Sequence, residues 1–309
     1  MDAGADAVYC GFNDETNARN FPGLNFTPEQ LAQAAVYARA ANAKTFVAIN
    51  TFPRAGDQQL WQRAVDTAVR IGADALILAD VGLLHYAAST YPNQRLHLSV
   101  QAAAASVDSI RYFVDAFRIR RVVLPRVLSV AEIAAISAEA ACETEVFVFG
   151  GLCVMEEGRC SLSSYATGRS PNMHGVCSPA SHVAYHEEDG TLVSRLGNFT
   201  INRFAAGKAA AYPTLCKGRF RAAQTEGYLF EEPVSLDAVE LLPALRQSGV
   251  SALKIEGRQR SRAYVETVVR YFKEALALLD AAEPMPAGGL VTLTEGQSAT
   301  TGAYRRGWR

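Results

Sequence analysis

Four of the six cysteines fall within one stretch of the chain: Cys153, Cys160, Cys177 and Cys216. Six residues separate the first two, sixteen the next two and thirty-eight the last two. Four thiolates can complete a tetrahedral zinc site or hold a [4Fe–4S] cluster. Spacing alone does not choose between the metals, although the absence of a Cys-x-x-Cys knuckle argues against a small zinc ribbon. Gly151, Gly158, Gly168, Gly175 and Gly218 accompany the cysteines, and glycine lets backbone amides approach cluster sulfurs closely. The plain alternative is a set of ordinary buried thiols, because free Cys is among the most buried residue types. Cys10, in an apolar run, and Cys142, at a helix end, read as packing thiols.

A second set of polar residues stands at the ends of short apolar runs: Asn13, Asn50, Asp80, Gln101, Arg126 and Glu256. Lys254 lies two residues before Glu256, so both point to one side of a strand. An inward Lys–Glu pair is costly unless satisfied, which suits a polar site or a structural ion pair equally. Arg126 and Arg258 have the fork geometry that grips carboxylates, and surface pairing is the plainer role for either one alone. Arg159 and Arg219, beside cysteines, are placed to balance negative charge on a cluster. The histidines, His85, His97, His174, His182 and His186, show no metal spacing, though His174 is three residues before Cys177. Met155 and Met173 read as packing.

The elements that must position these groups alternate. Apolar strands are expected at 7–12, 45–50, 75–80, 96–101, 121–126, 145–150 and 252–256, rich in Val, Ile and Leu as buried parallel strands are. Amphipathic helices are expected at 27–41, 57–71, 81–90, 107–117, 129–140 and 261–279, with Thr27 and Ser129 as N-caps and Pro28 at the first helical position. Gly4-Ala5-Asp6-Ala7 is echoed by Gly72-Ala73-Asp74-Ala75, each a helix stop leading into a strand. The strand count is one short of the eight that close a barrel. The expected fold is therefore an α/β, TIM-like (β/α) barrel lacking its first βα unit, with a cysteine-bearing insertion; an open sheet is the alternative. The expected division is 1–150 for the first part of the barrel, 151–249 for a cluster-binding insertion, 250–283 for barrel closure and 284–309 for an extended tail. Asp189-Gly190 marks a hairpin inside the insertion.

The formal net charge of -1 argues against a general nucleic-acid binder. No run of 18 apolar residues predicts a transmembrane helix, and the first residues do not form a signal peptide, so a cytoplasmic location is the expectation. In that compartment clustered cysteines point to metal or catalysis before disulfides. No Gly-x-Ser-x-Gly elbow or His-Glu-x-x-His helix supports hydrolysis, and no Gly-x-Gly-x-x-Gly loop supports hydride transfer.

The run Phe147-Val148-Phe149-Gly150-Gly151-Leu152-Cys153, followed by Gly158-Arg159-Cys160-Ser161-Leu162-Ser163, resembles the signature of the U32 "peptidase" family. Gly151 departs from the Ser or Ala usual there but remains small. Asp14-Glu15-Thr16-Asn17-Ala18-Arg19, Tyr212-Pro213-Thr214-Leu215-Cys216-Lys217-Gly218-Arg219 and Lys254-Ile255-Glu256-Gly257-Arg258-Gln259-Arg260-Ser261 are similar to its ubiquinone-biosynthesis branch. The resemblance implies one [4Fe–4S] cluster on Cys153, Cys160, Cys177 and Cys216. It implies a heterodimer with a related, UbiV-like protein of the family. It implies hydroxylation of a ubiquinone precursor without O2, with prephenate as oxygen donor. Arg126 and Arg258 would then hold the donor's carboxylates, with Lys254 and Glu256 managing protons. A peptidase and a non-catalytic scaffold with a structural metal are the competing functions. The family's opening strand, with its Cys-Pro-Ala-Gly, is not in the sequence, in keeping with the expected incomplete barrel.

Overall fold

A computed structural model describes residues 1–20, 25–155, 157–174, 176–257, 260–286 and 288–305. The chain alternates strand and helix through its first half: β1 (Ala7–Cys10), α1 (Pro28–Ala40), β2 (Lys44–Ile49), α2 (Gln59–Arg70), β3 (Ala75–Leu78), α3 (Val81–Thr90), β4 (Leu96–Leu98), α4 (Val107–Phe117), β5 (Arg121–Val123), α5 (Val130–Glu139) and β6 (Glu143–Gly151). Short polar caps set the helix starts. Thr27 and Ser129 are N-caps, as the sequence predicts, and both form capping boxes, with Gln30 and Glu132 reaching back. Asp80, expected among the polar strand-end residues, accepts from the Leu83 N–H instead and caps α3.

After β6 the chain leaves the main sheet. It forms α6 (Leu162–Thr167), α7 (Pro171–His174), an antiparallel meander of β7 (Val183–Glu188), β8 (Thr191–Leu196) and β9 (Phe199–Phe204), and a hairpin of β10 (Arg219–Ala222) and β11 (Thr225–Tyr228). The turn at Asp189-Gly190 joins β7 to β8, with both residues in the left-handed region that a tight hairpin requires. The chain then returns through β12 (Ser235–Asp237), α8 (Leu242–Gln247), β13 (Ala252–Ile255), α9 (Arg262–Asp280) and β14 (Ala299–Thr300).

The main sheet has nine strands. β1 to β6 pair in sequence order, all parallel, and β13 pairs parallel with β6. β12 joins β6 antiparallel beyond the end of β13, with β14 beside it. Alternation gives the sheet two different faces. Val47, Ile49, Leu76, Leu78, Leu98, Val122 and Val146 pack under helix residues such as Leu31, Trp61, Leu84, Ile110, Ile133 and Phe272. Each such fully buried side chain contributes about 1.5–3 kcal/mol, so this layer holds the fold. The opposite face carries small and polar residues: Tyr9, Phe46, Ala48, Ala75 and Ile77 in a separate cluster, then His97, Ser99, Arg121, Glu145 and Lys254.

A mostly parallel α/β sheet is thus present, as expected. Closure into a barrel is not: among the described residues β1 and β13 share no backbone pairing. Their side chains do meet. Tyr9 Oη donates to the Ile255 carbonyl at 3.5 Å, and Lys254 Nζ lies 3.8 Å from the Tyr9 ring centre. Among the described residues no helix is long and apolar enough to cross a membrane.

Candidate active site

The polar face gathers its charges at the C-terminal ends of the parallel strands. Arg126, in the turn between β5 and α5, is buried. Its guanidinium lies flat on Phe147, 3.4 Å from the ring centre. Nη2 donates to Glu256 Oε2 at 2.8 Å, and Nη1 pairs with Glu157. Arg19, on the loop after β1, donates through Nε to Glu256 Oε1 at 3.2 Å. Burial opposes the Arg126 charge, but Glu157 and Glu256 outweigh it and hold the guanidinium protonated above its ordinary value. Glu256 has the largest effect on Arg19 and raises it too.

Polar loops fix this arrangement. The Asn50 side chain accepts from the Ala18 N–H at 3.0 Å and donates to Ser99 Oγ at 3.2 Å. The Trp61 indole N–H donates to Thr51, whose hydroxyl donates to the Glu15 carbonyl. The loop carrying Arg19 is therefore stitched to the end of β2. Together Tyr9, Asn50, Ser99, Gln101, Lys254 and Glu256, with Arg19, Arg126 and Glu157, line a cavity of about 40 Å³.

Lys254 does not meet Glu256. It sits deeper, bonded to Glu145 at 2.6 Å, and Glu145 also accepts from Arg121 at 3.0 Å. His97 lies beside this layer, fully buried, with Nε2 accepting from Arg95 Nε at 2.9 Å. Burial first, then the Arg121 charge, depress His97 to about 3. The unfolded chain takes up that proton near the ordinary value of 6.5, so folding stability is lost as pH falls from there. The expected slope is about 1.4 kcal/mol per pH unit. Glu143 and Glu145 are also held low, so their stabilisation is lost only below their ordinary 4.5. Between pH 6.5 and 4.5 the loss of stability on acidification should therefore be smaller in His97→Gln than in the native chain, by up to about 1.4 kcal/mol per pH unit, measured by urea unfolding; an unchanged slope would show that His97 is not its source.

The four cysteines converge on the same end of the sheet. Gly158, between Cys153 and Cys160, has a positive φ, and a Cβ there would lie 2.0 Å from the Gln101 carbonyl oxygen, so this segment sits directly on the loop after β4. The Asn172 amide donates to the Cys160 carbonyl, and the Phe52 N–H donates to the Asn172 carbonyl, both at 3.2 Å. Tyr212 Oη donates to the Ser178 carbonyl at 3.0 Å, tying the neighbourhood of Cys177 to that of Cys216. The thiols act on one another: Cys216 on Cys153, Cys160 on Cys177, and both Cys160 and Cys177 on Cys216. Burial, then Glu157, push Cys153 up to about 12, and burial, then Cys177, push Cys216 to about 11. Cys177 is exposed as a residue, yet the protein is dense around it and its thiol is raised by that desolvation first. Among the described residues no three His, Cys, Asp or Glu side chains close on a point as they would around one ion. The four thiols lie near enough to act on one another, and they are the donors that a metal site here would draw on.

Several expectations shift. The cations acting on the thiols are Arg126 on Cys153, Arg19 on Cys177 and Lys217 on Cys216. Arg159 is exposed and Arg219 pairs with Glu226 at 3.4 Å. Asn50, Gln101, Arg126, Lys254 and Glu256 line the cavity, whereas Asn13 is exposed. Arg258 lies outside the described residues. Arg19 and Glu157 were not among the candidates. Their signals were position alone, one on the loop after a strand and one between two cysteines.

Comparison with known proteins adds the lineage. The sequence profile of Peptidase family U32 matches residues 1–298. The tRNA hydroxylation protein P of Escherichia coli (strain K12) is 30% identical over 94% of this chain and 67% of its own length. A 23S rRNA 5-hydroxycytidine synthase of the same organism is 29% identical over 88% of this chain and 36% of its own. An uncharacterized protease of Methanocaldococcus jannaschii is 29% identical over 89% of this chain and 61% of its own. The chain thus spans two thirds or less of these relatives.

Proposed function

The chain belongs to peptidase family U32, and on that footing we propose that it is an iron–sulfur subunit for O2-independent hydroxylation in the UbiU branch of ubiquinone biosynthesis. The observation that carries this reading is a cavity lined by two arginines, Arg19 and Arg126, on both of which Cys153 acts, with Cys177 acting on Arg19 as well. Hydroxylation names among the relatives support the reaction class. A [4Fe–4S] cluster on Cys153, Cys160, Cys177 and Cys216 would supply one-electron chemistry. The donor in our reading is prephenate, whose two carboxylates need cations. Arg126, held flat by Phe147, orients one of them, and Arg258 is the second candidate. Glu256 holds Arg126 and Arg19 in register. Lys254, paired with Glu145 at the cavity floor, is placed with Glu256 to hold or release a proton. The ring carbon exchanges a C–H bond for a C–OH bond, and the donor, losing the oxygen atom, is reduced by the same two electrons.

The reading includes a TIM-like barrel, a cluster-bearing segment at 151–249, a cytoplasmic setting and a heterodimer with a UbiV-like protein at equal stoichiometry. Hydrolysis fits poorly. Among the described residues the cavity lining holds no histidine, and the Ser99 hydroxyl caps a helical turn. The relatives' names favour one second reading, hydroxylation of an RNA base. An anaerobically grown host lacking the gene separates them. We expect ubiquinone to fall to a small fraction, restored by the native chain and not by Cys153→Ala. Loss of hydroxylated nucleosides from tRNA or rRNA, with normal ubiquinone, would favour the second reading. Normal ubiquinone from a cluster-free variant would leave only a scaffold.

A further inference from the structure

A substrate carboxylate that enters this cavity must reach Arg126. One side chain stands in the way. Glu157 is buried, lines the cavity and occupies Nη1 of Arg126, the group best shaped to hold a carboxylate. We propose that Glu157 is a built-in stand-in for a substrate carboxylate, seated on Arg126 in the empty protein and displaced when a carboxylate ligand binds. The inference rests on the reading that an anionic substrate enters this cavity.

Three features mark Glu157 as the displaceable partner. First, the two carboxylates on Arg126 are held unequally. Glu256 is gripped by Arg19 as well, whereas the salt bridge to Arg126 is the one Glu157 makes among the described residues. Second, the Glu157 seat is imperfect. Its Oε2 and the Nε of Arg126 are both buried without a hydrogen-bond partner among the described residues. A ligand carboxylate reaching Nε and Nη together would satisfy the fork as Glu157 does not. Third, Glu157 is anchored where its movement has consequences. It lies between Cys153 and Cys160, next to Gly158, whose backbone touches Gln101. Displacing it alters the charge beside Cys153, on which both Glu157 and Arg126 act. Binding of the anion and the state of the cysteine site would therefore be linked.

An internal competitor lowers apparent affinity by the fraction of time it leaves the seat free. If Glu157 holds the seat roughly nine times in ten, its removal tightens binding about tenfold. The test is calorimetric titration of the anaerobically purified protein with malonate and, separately, prephenate. Glu157→Ala should bind both about tenfold more tightly than the native chain. Glu157→Gln, which keeps the volume and loses the charge, should fall between and carries the test if the alanine variant does not fold. Arg126→Ala should bind neither. Unchanged or weaker binding in both Glu157 variants overturns the proposal, as does absence of binding throughout. The readout is affinity, so it stands or falls apart from hydroxylation. A host with normal ubiquinone would remove the assigned reaction and leave a tightened Glu157→Ala variant as evidence for the displaced seat.

Discussion

Replacing any one of Cys153, Cys160, Cys177 and Cys216 by Ala is expected to remove most protein-bound iron and sulfide, and with them all hydroxylation that depends on the chain. Each of the four thiols acts on, or is acted on by, at least one other. Cys153 and Cys216 are raised by burial to about 12 and about 11, and are therefore neutral thiols at neutral pH until a metal displaces their protons. On the proposed reading, a bound cluster would make the four thiols one chelate. Removing one arm of such a chelate forfeits more than a quarter of its affinity, because ligands held by one scaffold bind cooperatively. Cys10 and Cys142 provide the controls. Cys10 turns its sulfur toward the Phe46 carbonyl at 3.8 Å on β1, and Cys142 precedes β6, partly buried. Alanine at either should leave iron content and the visible spectrum as in the native chain. Equal iron in all six variants would remove the assignment.

The sequence showed the scaffold of this site better than the site itself. Helix starts were legible because Thr27 and Ser129 carry their capping partners three residues on, a local signal independent of tertiary context. The parallel strands were legible as apolar runs, with ends drawn too long. Asn50, Gln101 and Arg126 were assigned to strands but stand in the loops that follow, where backbone pairing ends and function begins. The small strands β9, β10 and β11 were not foreseen, since short half-exposed segments carry no strong periodicity, nor was the buried β12, whose three residues are too few to show one. Arg126 was legible as the polar end of an apolar run. Its partners were not, because Glu157 is 31 residues away and Glu256 is 130. Lys254 lies on β13 and Glu256 just past its end; both line the cavity, yet they pair with different elements. Pattern gives the face a residue occupies; only the fold gives its neighbour.

Arg126→Met is expected to be the most destabilising single change at the site, by about 3–5 kcal/mol at neutral pH, because it strands buried charge rather than merely removing a contact. Glu157 is buried, and burial already raises its carboxyl above the ordinary value even with Arg126 beside it. Without the guanidinium both Glu157 and Glu256 face the cavity, and Arg19 compensates only the second directly. The pH dependence gives the cause a signature. A carboxyl whose folded pKa lies above its unfolded one costs stability as pH rises through the folded value. The deficit of Arg126→Met should thus be largest at pH 7 and above, and shrink as acid protonates Glu157. A second substitution should act the same way at constant pH. Arg126→Met with Glu157→Leu replaces a broken pair by apolar volume and should recover most of the loss, a coupling of at least 1–2 kcal/mol in a double-mutant cycle. Urea unfolding of the four proteins at pH 5 and pH 8 measures both effects. A deficit under about 1 kcal/mol, alike at the two pH values and unmoved by the second substitution, would show that Arg126 is not the keystone of a buried ion network. The recovered double variant should still bind no carboxylate, since stability returns with the apolar replacement and the guanidinium fork does not.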